Sequence, residues 1–220
     1  MLKHDLYLSL VEKAFRQFSN LPAFTNYEGK TVTYREVEQQ ILILHKRFKD
    51  LGVAPRDHIT LIGKNSLEWA TAYLATITYG AVVVPILPNF PPADVQNLVE
   101  HSDSKILFAG NSYFEPLDLS TMPKLVGVIS LDDFSDLLDS TNSPTLDTSA
   151  ETGEVKSYDL GEKEMMVLLY TSGTMGFSRG VMLHHLSISS NIIYARENMP
   201  LKPGDRILSF LPLAHAYGCS

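Results

Sequence analysis

The feature that most constrains the fold is a repeated exchange between two periodicities in the first half of the chain. Ile59, Thr60, Leu61 and Ile62 form a short apolar run suited to a buried strand, Asn65 and Ser66 offer a helix cap, and a helical pattern continues to Tyr79. The exchange then repeats. Residues 81–86 read as a strand, Pro88, Pro91 and Pro92 mark a turn, a helix runs to about Glu100, and 105–109 read as a strand again. A further strand is expected over 125–130. Strands separated by helices cannot pair as hairpins, and the crossovers leave them parallel with both faces covered. The expected class is therefore α/β: layered, mostly parallel sheets with flanking helices.

Flanking segments extend this reading. Leu6, Leu10, Ala14 and Phe18 suggest an amphipathic helix over 2–18. Thr33 and Glu36 have capping-box spacing, and Tyr34, Val37, Ile41, Leu44 and Phe48 form a stripe that Gly52 stops. Residues 132–138 are expected to form a short acidic helix. Residues 139–158, rich in Ser, Thr, Asp, Asn, Pro and Gly, read as a solvated excursion rather than a functional lid.

At 45% hydrophobic over 220 residues, the chain can bury a sizeable core. Its net charge of -7 excludes a general nucleic-acid binder, which needs a basic face, and favours a small-molecule partner. One cysteine, Cys219, cannot form an internal disulfide and has no assignable base, which fits a reducing, cytoplasmic compartment. The first 18 residues lack the apolar core of a signal peptide, and no run approaches the roughly 18 apolar residues of a membrane span. Peripheral membrane contact stays open.

The chemistry is concentrated after residue 165. An apolar run over 165–170, suited to a buried strand, leads directly into Thr171, Ser172, Gly173, Thr174, Met175, Gly176, Phe177, Ser178, Arg179 and Gly180. The glycines permit close ligand approach, the hydroxyls add donors, and successive backbone N–H groups can form a concavity for oxygen anions, with Arg179 adding a positive charge. A glycine-rich surface turn is the competing reading. The spacing satisfies neither the Walker pattern, which needs Gly-Lys followed by Ser or Thr, nor the G-x-G-x-x-G dinucleotide pattern.

The segment YTSGTMGFSRGV, residues 170–181, closely resembles the phosphate-binding signature of the adenylate-forming (AMP-binding) family, Y-T-S-G-T-T-G-x-P-K-G-V. The resemblance continues in order along the chain: residues 31–36 (TVTYRE) with an early helix start, Trp69 through Pro85 with a helix-strand segment, 182–185 (MLHH) after the signature, and 210–218 (FLPLAHAYG) with a segment beside the acyl and nucleotide sites. Met175, Ser178 and Arg179 depart from the usual threonine, proline and lysine. Arginine keeps the charge but replaces a compact ammonium with a planar fork.

The resemblance implies the first part of the large N-terminal domain of the adenylate-forming fold, here residues 1–220. It further implies that a carboxylate attacks the α-phosphorus of ATP to give an acyl-adenylate and pyrophosphate, after which CoA takes the acyl group. Ser172, Gly173, Thr174, Gly176, Arg179 and Gly180 would bind the phosphates, and Thr171 would lie near the nucleotide and Mg2+. His215 would orient or gate near the α-phosphate and the acyl pocket, with Tyr217 and Gly218 lining the acyl channel. The LPLAHAYG form looks most like the long-chain fatty acyl-CoA synthetases. An amino-acid adenylation domain of a peptide synthetase, and a non-catalytic nucleotide-sensing or scaffold protein with a degenerate loop, are the alternatives.

The family's adenine motif, ribose-binding aspartate, hinge and catalytic lysine have no counterpart in these residues. The sequence therefore reads as a fragment, expected to be inactive in adenylation alone and to self-associate through exposed core. His184 and His185 are read as helix-start packing or capping, because adjacent helical residues point about 100° apart. Asp132, Asp133, Asp136 and Asp139 are read as a solvated face, and so are Glu162 and Glu164.

Overall fold

The computed structural model describes residues 6–138, 153–171 and 179–215. Its frame is the repeated strand-helix unit. β3 (His58–Ile62), β4 (Val82–Ile86), β5 (Ser104–Ala109) and β6 (Gly127–Ser130) are joined through α3 (Leu67–Tyr79), α4 (Pro92–His101) and a short α5 (Asn111–Phe114) followed by a 3₁₀ turn, Leu119–Thr121. With β7 (Met165–Thr171) and β8 (Arg179–His184) they make one six-stranded sheet, ordered β6-β5-β3-β4-β7-β8. Every pairing in it is parallel except β7 with β8. The connection leaving β3 runs to one side of the sheet and the one leaving β5 to the other, so the order reverses between those two strands. Ligands of open α/β sheets commonly sit at the carboxyl ends of such a pair.

α2 (Tyr34–Asp50) begins as the sequence predicts: the Thr33 hydroxyl accepts from Glu36 N–H at 3.3 Å, and the Glu36 carboxylate accepts from Thr33 N–H at 2.7 Å. Val37, Ile41, Leu44 and Phe48 are buried, and the chain turns away at Gly52 with φ of 73°. In α3 the Ser66 hydroxyl accepts from Trp69 N–H at 3.0 Å. The buried Thr71, Thr76 and Thr78 donate their hydroxyls four residues back, to Leu67, Ala72 and Leu74, which satisfies them inside the apolar layer. A two-stranded antiparallel ribbon, β1 (Pro22–Thr25) with β2 (Thr31–Thr33), precedes α2 and goes beyond the sequence reading.

Three expectations need correction. α1 (Tyr7–Phe18) buries Leu8, Val11 and Phe15, not the four-residue series Leu10, Ala14 and Phe18, although Leu6 just ahead of it is buried. A strict spacing of four drifts about 40° per step around a helix, so only the 3-then-4 series stays on one face. Residues 132–138 are not helical. Asp133 and Asp136 accept the backbone N–H two residues ahead, Phe134 has φ of 61°, and Asp136 bridges back to Ile129. Such local side-chain bonds compete with the helix. Nor is the acidic face wholly solvated: Arg47 donates to Phe134 carbonyl and to Asp136, both at 2.8 Å.

The expected excursion falls largely outside the described residues, but its final part is packed rather than solvated. Val155 is buried and donates to Glu38, Ser157 donates to Glu12, and Tyr158 donates to Thr78 carbonyl, which straps 153–160 across α1, α2 and α3. Gly80 permits this. Its φ is 85°, and an added Cβ would lie 2.5 Å from the Tyr158 ring.

Candidate active site

β7 is apolar along the positions that face the layers, and Met166, Val167, Leu169 and Tyr170 are buried. Thr171, its last residue, is exposed at the carboxyl edge of the parallel sheet. The chain returns antiparallel as β8, with Thr171 opposite Arg179 and Tyr170 opposite Gly180. The two ends of the glycine-rich segment are thus held side by side, about 5 Å apart between α-carbons. The element that follows β7 is an antiparallel strand, whereas a helix follows the strand of a strand-to-helix phosphate loop. Ser172, Gly173, Thr174, Met175, Gly176 and Ser178 lie outside the described residues.

The strand end is locked beneath Thr171. Tyr170 is 7% exposed, and its hydroxyl shares a 2.7 Å hydrogen bond with Nδ1 of His101 in the last turn of α4, with the rings edge-on at 5.7 Å. Burial, helped by the charge of Asp103, raises the Tyr170 pKa, so the phenol stays neutral. Opposite it, a Cβ on Gly180 would lie 3.1 Å from a Leu168 methyl and 3.5 Å from the Tyr170 ring. A side chain there would push against the ring that anchors the strand. Arg179 is exposed at the entrance of β8.

His215 is exposed on a segment that crosses the same edge of the sheet. Its N–H donates to Pro212 carbonyl at 3.0 Å, Ala214 is 4% exposed, and Leu213 packs against the main core. The segment is tied to the loop after β3 through one side chain. Asn65 Nδ2 donates to Leu211 carbonyl at 2.7 Å and lies 3.3 Å from Ser209 carbonyl, while its Oδ1 accepts from Leu213 N–H at 2.8 Å. β3 and β7 run parallel with β4 between them, so their carboxyl ends lie about 10 Å apart. The structure brings Thr171, Arg179 and the His215 segment to one edge. Tyr217, Gly218 and Cys219 lie outside the described residues.

A crevice of about 420 Å³ opens on that edge at the strand-order reversal, between Gly63, Lys64 and Glu68 on one side and Gly110, Tyr113 and Asp132 on the other. Sequence reasoning misses it, because its walls come from four separate stretches of the chain, around residues 26, 63–68, 110–113 and 131–132. It also reads Asn65 only as part of a cap. Ser66 does the capping, which leaves the Asn65 amide available to reach across the fold.

The adjacent histidines have structural surroundings. His185, 2% exposed at the start of α6 (His185–Asn198), accepts at Nε2 from Leu8 N–H at 3.4 Å and donates from Nδ1 to Leu160 carbonyl at 3.2 Å. Burial lowers its pKa, so the ring is neutral. His184 occupies the N-cap position with no side-chain capping bond. Glu164 accepts from Gly161 N–H and pairs with Arg56, so it is not simply solvated. Among the described residues no group of three His, Cys, Asp or Glu side chains could hold a metal ion, and no helix is long and apolar enough to cross a membrane.

Comparison with known proteins gives the family and the fold. The chain is similar to gramicidin S synthase 2 of Brevibacillus brevis, 26% identical over 189 residues that cover 86% of this chain and 4% of that protein. It is equally similar, at 26% over 234 residues, to probable acyl-activating enzyme 16, chloroplastic, of Arabidopsis thaliana, covering 97% of this chain and 32% of that one. The chain thus spans 4% and 32% of the length of these two relatives. Its fold superimposes on Mycobacterium tuberculosis fatty acyl CoA synthetase with a TM-score of 0.81 at 20% identity, over 99% of this chain and 42% of that one. The family model described as AMP-binding enzyme matches residues 11–220, which is nearly the whole sequence, and the chain belongs to that family.

Proposed function

We propose that the protein activates a carboxylate with ATP, forming an acyl-adenylate, and that its substrate is a fatty acid passed on to CoA. The observation that carries the adenylation reading is that Thr171 and Arg179, which flank the Ser, Thr and Gly-rich stretch of the sequence, pair with each other at the carboxyl edge of the sheet. In this reading a carboxylate oxygen bonds to the α-phosphorus as its bond to the bridging oxygen breaks, and pyrophosphate carries away the negative charge. Ser172, Gly173, Thr174, Gly176 and Gly180 hold the β- and γ-phosphates, and the Arg179 guanidinium compensates the charge that builds on the leaving group. His215 orients the reacting groups at the α-phosphate, and Tyr217 and Gly218 line the acyl channel.

Mg2+ fits these residues as a partner of the nucleotide. The exposed Thr171 hydroxyl can fill one coordination position, and phosphate oxygens and water would complete the shell. The ion would neutralise phosphate charge. Relatives of both kinds, a gramicidin S synthase and an acyl-activating enzyme, favour keeping an amino-acid substrate as the second reading.

The test is carboxylate-dependent ATP–pyrophosphate exchange by the product of the whole reading frame that contains this chain, with fatty acids of several lengths and amino acids in parallel. Exchange driven by fatty acids supports the full proposal, and exchange driven by amino acids alone selects the second reading. Arg179→Ala is expected to lower kcat about a hundredfold with its melting temperature unchanged. Exchange that survives Arg179→Ala intact removes the loop from the chemistry, and well-folded protein that exchanges with no carboxylate overturns the enzyme reading in favour of a nucleotide-sensing or scaffold role.

A further inference from the structure

We infer that Asn65 is a positioning residue for the reaction: its carboxamide fixes the segment that carries His215 at the carboxyl edge of the sheet, the edge that also holds Thr171 and Arg179. The inference takes its chemistry from the adenylation reading above, but its geometry stands independently. Asn65 follows β3, the strand at the order reversal, and precedes the Ser66 cap of α3, so its backbone is fixed by a buried strand on one side and a capped helix on the other. From that rigid base the amide meets Leu211 and Leu213 as a peptide group in a neighbouring strand would, donating to the carbonyl of one and accepting from the N–H of the other, at 2.7 and 2.8 Å. A carboxamide presents its donor and acceptor side by side on one planar group, as a peptide does, and glutamine, the other residue that carries one, has a stem one carbon longer.

The clamp is the polar connection of residues 209–213. Among the described residues, Ser209, Leu211 and Leu213 make their hydrogen bonds to the rest of the fold through Asn65 alone. Around them the chain is poorly covered, with Leu208 and Phe210 79% and 77% exposed. Among the described residues, hydrophobic packing does not set the position of residues 207–211, although it does seat Leu213 and Ala214. Beyond the clamp the path to His215 is short and stiff: Pro212 has a fixed φ, and its carbonyl accepts from His215 N–H, closing a turn whose entrance is the Asn65 pair. Misplacing a reacting group by about an ångström can cost about a hundredfold in rate, so loosening this entrance reaches the chemistry.

The experiment compares wild type, Asn65→Ala, Asn65→Asp, His215→Ala and Asn65→Ala/His215→Ala, each in the product of the whole reading frame. It measures pyrophosphate exchange, with kcat and KM for ATP separated, and amide hydrogen exchange over 207–215. Asn65→Ala is expected to lower kcat at least about tenfold with little change in KM, and the double variant to lose no more than His215→Ala alone. Asn65→Asp, which has the same shape but turns a carboxylate toward the Leu211 and Ser209 carbonyls, is expected to fall at least as far. A space-filling role would spare it. Amide exchange over 207–215 is expected to accelerate about tenfold or more in both variants.

Additive losses in the double variant, or an active Asn65→Asp, overturn the inference while leaving the adenylation reading intact. If wild type exchanges with no carboxylate, the adenylation reading and the catalytic role of Asn65 fall together. Hydrogen exchange still decides the clamp in that case, and unchanged protection over 207–215 would remove it as well.

Discussion

α3 and α6 have nearly equal lengths and opposite surroundings. Nine residues of the 13 in α3 are buried, whereas α6 buries three of 14 and leaves Tyr194 69% exposed. The strands repeat the contrast: β4 is buried at every position, and β8 at none. The scaffold from α2 to β6 supplies most of the buried core, with α1 and β7 packed against it. The hairpin, α6 and the segment to His215 carry the proposed chemistry on a thinly covered part of the fold. Rigidity is concentrated at the points where this part is fastened to the scaffold: Tyr170 on His101, His185 under α1, and Asn65 on the His215 segment.

The sharpest way to break that comparison is to damage the scaffold and measure the whole. Phe108→Ala removes a fully buried ring that lies edge-on to Phe48 at 6.0 Å and to Phe134 at 6.3 Å. It is expected to cost about 3–5 kcal/mol in urea unfolding, with no local compensation. A loss under about 1 kcal/mol would mean the centre is far less rigid than its burial implies.

A second, pH-driven effect belongs to the scaffold as well. His45 donates from Nε2 to Ala75 carbonyl at 2.9 Å, sits edge-on to Tyr79 at 5.3 Å, and is held neutral, because burial pushes its pKa down to about 4. The unfolded chain takes up this proton near pH 6.5 and the fold only near 4, so stability is full above that window and falls as pH drops through it. The loss is about 3 kcal/mol at most, and His185 adds to it with the same sign. His45→Gln is expected to flatten part of the decline in melting temperature between about pH 6.5 and 4.5. An identical decline in that variant would assign the effect elsewhere.

The smallest effect tests the other side. Met182, 63% exposed on β8, is expected to tolerate replacement by Gln within about 0.5 kcal/mol. A cost above about 1 kcal/mol in the product of the whole reading frame would show that this face is covered there.

The sequence is most legible where local and global preferences agree. The capping box of Thr33 and Glu36 and the buried runs of β3, β4 and β5 each announce their element through chemistry within a few residues. The face of α1 is misjudged from sequence because apolar residues lie on both the four-spaced series and the true stripe, and only the long-range contacts at Leu8 and Glu12 show which one turns inward. Residues 132–138 read as helix because their aspartates suit a helix start. The same aspartates suit turns, and Arg47, 87 residues from Phe134 and 89 from Asp136, selects the turn. Of the candidate site, the loop is legible as composition and spacing, and the clamp is not. Nothing near Asn65 in sequence indicates bonds to residues 146 and 148 positions later.

The antiparallel return of β8 has a consequence for how this region can vary. Side chains along a strand alternate between faces, so Arg179 keeps its orientation only while the pairing of β7 with β8 keeps its register. A residue gained or lost within the connection changes the span of the loop but leaves both strands where they are. A residue gained or lost inside β8 turns every side chain on one flank of the change to the opposite face, and moves the guanidinium away from the loop or shifts Gly180 off the Tyr170 ring. Length change is therefore admissible between the strands, whereas an odd step within them must be absorbed by a bulge, as the register shift between Met165 and Val167 does at the end of this hairpin far from the loop.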